Sequence, residues 1–132
     1  MRFGTSDALL DARVDGKVIF WIVDWLRAFG LTVLIELAVT MPLLRRVEPR
    51  AGRRFAVVVM ANLMTHPLVW FLFPGLSVPN LTRTVISEVW AVVGETFAYA
   101  VIWPGLRVHR AALVSLAANG ASFAVGLWLL PR

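Results

Sequence analysis

Apolar residues fall into four blocks along this chain, at residues 18–44, 55–73, 84–103 and 111–130. Each block is about 20 residues long or longer, and at a rise of about 1.5 Å per residue that length crosses a hydrocarbon core about 30 Å thick. None shows the strict alternation of a half-buried strand. The pattern predicts an all-α protein, a four-transmembrane-helix bundle, with residues 1–132 forming a single integral membrane domain. Pro42 is expected to end or bend the first helix, because it cannot donate to the carbonyl of Ala38. Pro67 is expected to kink the second, freeing the carbonyl of Leu63 and drawing His66 away from ideal helical geometry. Phe20, Trp21 and Trp25 are assigned to the membrane interface, where amphipathic rings sit. Residues 1–17 read as a short polar arm in which Asp7, Asp11 and Asp15 balance Arg2, Arg13 and Lys17. Thr84 or Ser87 is expected to cap the third helix. In the fourth, the small pairs Ala117–Ala121 and Gly120–Ala124 are expected to let a neighbouring backbone approach.

Composition agrees with a membrane protein. Hydrophobic residues make up 59% of the chain and charged residues 16%, against about 45–50% and 25% in soluble domains. The mean hydropathy is +0.76. There is too little polar side chain to cover a water-facing surface.

Charge then orients the helices. The net charge is +5, but the basic residues flank apolar blocks and do not interleave with stacking aromatics, so no nucleic acid partner is expected. Residues 45–54 carry Arg45, Arg46, Arg50, Arg53 and Arg54 against the single Glu48. A second loop carries Arg107, His109 and Arg110. Short arginine-rich loops stay cytoplasmic, which predicts N-out/C-out topology with two basic cytoplasmic loops. The arginine bias, with Lys17 the one lysine, points to a bacterial inner (plasma) membrane. The first block is too long for a signal-peptide core, so the N-terminus is expected to be retained. There are no cysteines, which excludes disulfides, thiolate metal sites and thiol catalysis.

The candidate chemistry lies inside the apolar blocks. Glu88 and Glu95 are seven residues apart, almost two full turns, so they share a helix face, with Tyr99 close to it. An ionisable group at membrane depth costs about 2.5–3.5 kcal/mol to insert and faces protein or water rather than lipid. Counted from the block ends, Glu36, His66, Glu95 and Asn119 fall near one mid-membrane layer. Asn62 and Ser122 join them as a polar core. Structural readings stand beside this: Asn62, Ser115, Asn119 and Ser122 as helix–helix glue, and His66 as a satisfied buried group.

Three functions follow from such a layer. Staggered carboxylates with an imidazole relay protons or cations, with Glu95 as the coupling carboxylate and His66 as its switchable partner. A metal site on His66 and Glu95 is the weaker option, since the Glu-x-x-His pairs of bundle di-metal sites are missing. The third is a non-catalytic subunit or assembly factor of a larger membrane complex. No catalytic residue and no cofactor is expected, and the chain is taken as more a non-enzyme than an enzyme. Its expected partners are the lipid bilayer and either further copies of itself, as a homo-oligomer, or a larger membrane complex.

The runs N-x-x-T-H-P-x-x-W at Asn62–Trp70, E-x6-E at Glu88–Glu95 and N-x-x-S-F at Asn119–Phe123 resemble a small four-helix bacterial inner-membrane family. The resemblance covers residues 55–130 and attaches no activity. Small-multidrug-resistance proteins and fluoride channels are also four-helix chains of this length. The chain lacks the first-helix glutamate context of the former and the Thr-Thr-Phe-Ser type run of the latter, so neither function carries over. The reading that remains is a proton- or small-cation-linked transport protein, with the accessory subunit as its alternative.

Overall fold

The computed structural model describes the backbone of residues 5–129 and side chains from Gly16 onward. The charges of Arg2, Asp7, Asp11, Arg13 and Asp15 lie outside the described side chains. Four helices follow one another: α1 Thr5–Leu43, α2 Ala51–Pro67, α3 Asn80–Ile102 and α4 Val108–Leu129. All four contain stretches long and apolar enough to cross a membrane. No strand occurs among the described residues. Short connections make neighbours antiparallel. Each helix packs on its neighbours in sequence, and α4 closes the ring by packing on α1.

The helix ends depart from the sequence expectations in ways that local chemistry explains. Residues 5–17 do not form an arm but extend α1 as one continuous 39-residue helix. An existing helix can be lengthened by polar residues without a new nucleation step. Pro42 sits one residue from the end of α1, and the chain then turns through Leu44, whose N–H donates to the carbonyl of Thr40 at 2.9 Å. α3 starts at Asn80, directly after an extended Pro79. Thr84 and Ser87 are thus inside the helix and cap nothing. Their hydroxyls donate back to the carbonyls of Asn80 and Arg83 at 3.0 and 2.9 Å.

Pro67 acts one residue later than expected. His66 and Pro67 remain α-helical, and the irregularity follows as a π-helical turn over Leu68–Leu72 and a 3-10 turn over Phe73–Gly75. A missing donor and a bulky ring are accommodated by widening the next turn.

Apolar packing is concentrated at the end of the bundle that carries the basic connections. Leu44, Val58, Tyr99, Trp103, Leu106 and Ala111 form its buried centre. Outward faces on all four helices are apolar too: Leu34, Met60, Phe97 and Leu113 are exposed, the arrangement expected where acyl chains replace water. The small pairs of α4 belong to this outer surface. Ala117, Gly120 and Ala124 are exposed, and the inward face is made by Ala111, Ser115, Ala118 and Asn119.

Helices α2 and α3 approach closely at Gly94. A Cβ placed on Gly94 would stand 2.7 Å from the γ-methyl of Thr65. Thr65 is held by its hydroxyl, which donates to the carbonyl of Ala61 at 3.2 Å, so the methyl cannot swing away without losing that bond. Gly94→Ala gains roughly 1 kcal/mol of helix propensity but meets an overpacking cost of about 1–3 kcal/mol. We expect a lowered unfolding midpoint in detergent, restored by adding Thr65→Ser, which removes the methyl and keeps the hydroxyl. No drop, or a drop that Thr65→Ser leaves in place, would contradict this packing.

Candidate functional site

Two carboxylates sit at the centre of the bundle, each held by a different pair of helices. Glu36 of α1 is fully buried. Its Oε2 accepts from the Asn62 amide of α2 at 2.6 Å, and the Ser122 hydroxyl of α4 approaches Oε1 at 3.4 Å. Asn62 donates its second hydrogen to the carbonyl of Val58 at 3.1 Å, so both amide hydrogens are engaged. Thr40, one turn along α1, donates to the carbonyl of Glu36 at 2.7 Å.

Glu95 of α3 is equally buried. Its Oε2 accepts from the Ser115 hydroxyl at 2.9 Å and from the Asn119 amide at 2.7 Å, both on α4. Asn119 also donates to the carbonyl of Ser115 at 3.0 Å. The Ser122 hydroxyl lies 3.0 Å from the carbonyl of Asn119 as well as near Glu36. With one proton it serves one acceptor at a time, so Ser122 joins the two clusters as an alternating donor. Glu95 Oε1 is different. It is buried and has no hydrogen-bond partner among the described residues.

A cleft of about 500 Å³ opens beside Glu95. Asn62, Glu95 and Asn119 border its inner part. Along α3 the lining continues through Glu88 to Arg83, towards the α2–α3 connection. Glu88 is half-buried there, about 10 Å along the helix axis from Glu95. The Arg83 guanidinium anchors the connection by donating to the carbonyls of Leu76 and Val78 at 3.2 and 3.3 Å. At the opposite end the buried cluster around Leu44, Tyr99 and Trp103 closes the bundle. The cavity is therefore one-sided.

His66 lines the cleft, but not as the partner of Glu95. Trp25 donates its indole N–H to His66 Nδ1 at 3.0 Å. A ring accepting at Nδ1 carries its proton on Nε2. The imidazole also stacks on Trp70, with centroids 6.2 Å apart, and meets the edge of Phe29 at 5.4 Å. Trp25, read from sequence as an interfacial ring, is thus turned towards α2, while Phe20 and Trp21 remain exposed. Tyr99 also departs from the expected face. It is fully buried against Trp103, with centroids 5.7 Å apart, in the closed end and does not border the cleft. Among the described residues, no three His, Cys, Asp or Glu side chains are grouped to hold a metal ion.

Ser115, which the sequence places on one face with Asn119 and Ser122, bonds to Glu95. The role of Glu48 is not visible in the sequence, where it is the one acid in a basic loop. Glu48 is buried, and it organises that loop. Its Oε1 accepts from the Arg50 backbone N–H at 3.1 Å, and Oε2 pairs with Arg53 at 3.0 Å. Arg54, itself buried, donates to the carbonyl of Glu48. Arg45 and Arg46 stay exposed.

The Arg50 N–H, and after it the Arg53 and Arg50 guanidiniums, hold the Glu48 carboxyl below its ordinary value near 4.5. A carboxyl whose value is lowered by folding stabilises the fold at pH above the ordinary value. That contribution is lost as pH falls through the lowered one. We expect the unfolding midpoint of the wild type to fall more steeply with acid below about pH 4.5 than that of Glu48→Gln. Parallel curves would contradict the assignment.

No protein family, no curated protein and no solved structure matches the chain, so the motif resemblance over residues 55–130 gains no support from comparison with known proteins.

Proposed function

We propose that this is a small multi-pass membrane protein that takes up a proton or a small cation in its half-open acidic cleft and passes it across the bilayer. Glu95 is the coupling carboxylate, and Glu88 is the first carboxylate met on the way in. The observation that carries this reading is the position of Glu95: fully buried, with one oxygen fixed by α4 and the other without a partner beside an open cleft. Ionisable groups at such depth mark ion and proton pathways more than packing.

The topology follows the charge rule. The arginine-bearing connections face the cytoplasm of a bacterial inner membrane, so the cleft opens outward and the Leu44–Tyr99–Trp103 cluster closes the cytoplasmic side. Ser122 supplies the route for rearrangement, since it can release Glu36 for the Asn119 carbonyl. The chain works as a homo-oligomer or inside a larger membrane complex.

An accessory subunit that uses its buried charges to pair with another protein fits less well. Glu36 and Glu95 take donors from within the chain, and Glu48 is satisfied by its own loop. The test is acid-driven proton entry into liposomes carrying purified protein and an internal pH dye. Entry faster than in empty liposomes supports the reading, and entry at the empty-liposome rate contradicts it. Gentle extraction and native mass analysis separate the alternatives: a defined homo-oligomer supports autonomous transport, and constant co-purification with a larger assembly supports the accessory role.

A further inference from the structure

We propose that the cleft binds an organic ammonium, a primary or secondary amine with an apolar ring or short chain, its N–H donated to Glu95 Oε1. The inference rests on Glu95 being the group that meets the cleft's cation, and it names what that cation is.

Three observations select this class. The first is the unpartnered oxygen. Glu95 Oε2 already accepts from Ser115 and Asn119, whereas the buried Oε1 has no donor among the described residues. A ligand that satisfies it must bring an N–H or O–H. A quaternary ammonium brings charge without a donor, and an alcohol brings a donor without charge.

The second is the wall. The lining sets apolar Val69, Phe123 and Leu127 beside the oxygen-bearing Ser87, Glu88 and Ser122, so it offers a wall for an apolar body as well as carboxylates for a charge. Calcium takes about six to eight oxygen ligands, and no three His, Cys, Asp or Glu side chains are grouped among the described residues. A cavity of about 500 Å³ is instead within the range of organic ligand sites, about 300–1,000 Å³.

The third is the aromatic side. Trp70 borders the cleft and is held against His66 with the rings 16° from parallel. His66 is fixed in turn by Trp25. A preset indole attracts a cation or an apolar ring. Two carboxylates, Glu88 and Glu95, face one guanidinium, Arg83, along the same lining. Arg83 is engaged with the α2–α3 connection through both its Nη atoms.

The experiment compares three probes of one shape: benzylamine, benzyl alcohol and benzyltrimethylammonium, each titrated into purified protein in detergent to millimolar concentration. Saturable binding of benzylamine is expected, tighter than either other probe by about tenfold or more, the scale of one hydrogen bond to a charged group. Glu95→Gln is expected to abolish the difference among the probes. Trp70→Leu, if folded by circular dichroism, should weaken benzylamine and leave the order of the probes unchanged. Equal binding of all three, preference for the quaternary probe, no binding of benzylamine, or an unchanged preference in Glu95→Gln would each overturn the proposal. Proton entry measured without amines is independent of this result. If it depends on Glu95 while benzylamine does not bind, only the ligand class is wrong. If Glu95 proves irrelevant to proton entry, the functional reading itself fails.

Discussion

Glu95→Gln is expected to reduce acid-driven proton entry to the rate of empty liposomes while the protein stays folded. Glutamine keeps the shape of the side chain. Its carbonyl oxygen can take the two bonds that Glu95 Oε2 accepts from Ser115 and Asn119. The amide nitrogen then occupies the unpartnered Oε1 position. What disappears is the capacity to bind and release a proton. Because the hydrogen bonds survive, the stability change should remain within about 1 kcal/mol. Glu88→Gln should have a smaller effect, since Glu88 is only half-buried on the cleft wall. Proton entry at the wild-type rate in folded Glu95→Gln would remove Glu95 from the pathway.

Asn62→Leu is expected to destabilise the bundle by about 1–3 kcal/mol, and the double variant Glu36→Leu/Asn62→Leu to recover most of that loss. Two effects compete in the single variant. An interhelical hydrogen bond in a membrane contributes about 0.6 kcal/mol on average and rarely more than about 1.7. Leaving a buried acceptor unsatisfied costs about 1–3 kcal/mol. After Asn62→Leu, Glu36 retains only the 3.4 Å approach of Ser122, so the second effect dominates. Removing both partners removes the unsatisfied group as well, and the double variant should lie within about 1 kcal/mol of wild type. Unfolding midpoints in detergent for the four members of the cycle decide this. A double variant as unstable as the sum of its singles would mean that Glu36 and Asn62 are not coupled.

The number of helices and the polar residues worth attention were legible because membrane chemistry is severe. One Glu in an apolar block must go somewhere, and Glu36, Asn62, Glu95 and Asn119 each stood out against their surroundings. Which of them would bond was not legible. Pairing depends on how each helix is rotated about its axis, and that is set by distant packing such as Gly94 of α3 against Thr65 of α2. The same holds for His66. Its neighbours in sequence suggested a free, switchable ring, but its partner Trp25 lies 41 residues away. The donation from Trp25 was not legible because an indole suits both an interface and a part-buried acceptor, and hydropathy does not separate the two. The small residues Ala117, Gly120 and Ala124 misled for the reverse reason. Their spacing permits close packing, but on α4 the inward face was claimed by Ser115 and Asn119.

If one face of α3 lines a watered cleft while the opposite face meets lipid, cysteines placed on the two faces must differ in reactivity. The chain has no cysteine of its own, so each introduced thiol reports on one position. Ser87 borders the cleft, and Val89, two residues on and at nearly the same depth, is exposed on the outer surface. In membranes, a charged impermeant thiol reagent should modify Ser87→Cys and spare Val89→Cys, with Ala98→Cys in the buried core also spared. Modification of Val89→Cys with Ser87→Cys untouched would place water on the other side of α3 and rule out the cleft as the watered face.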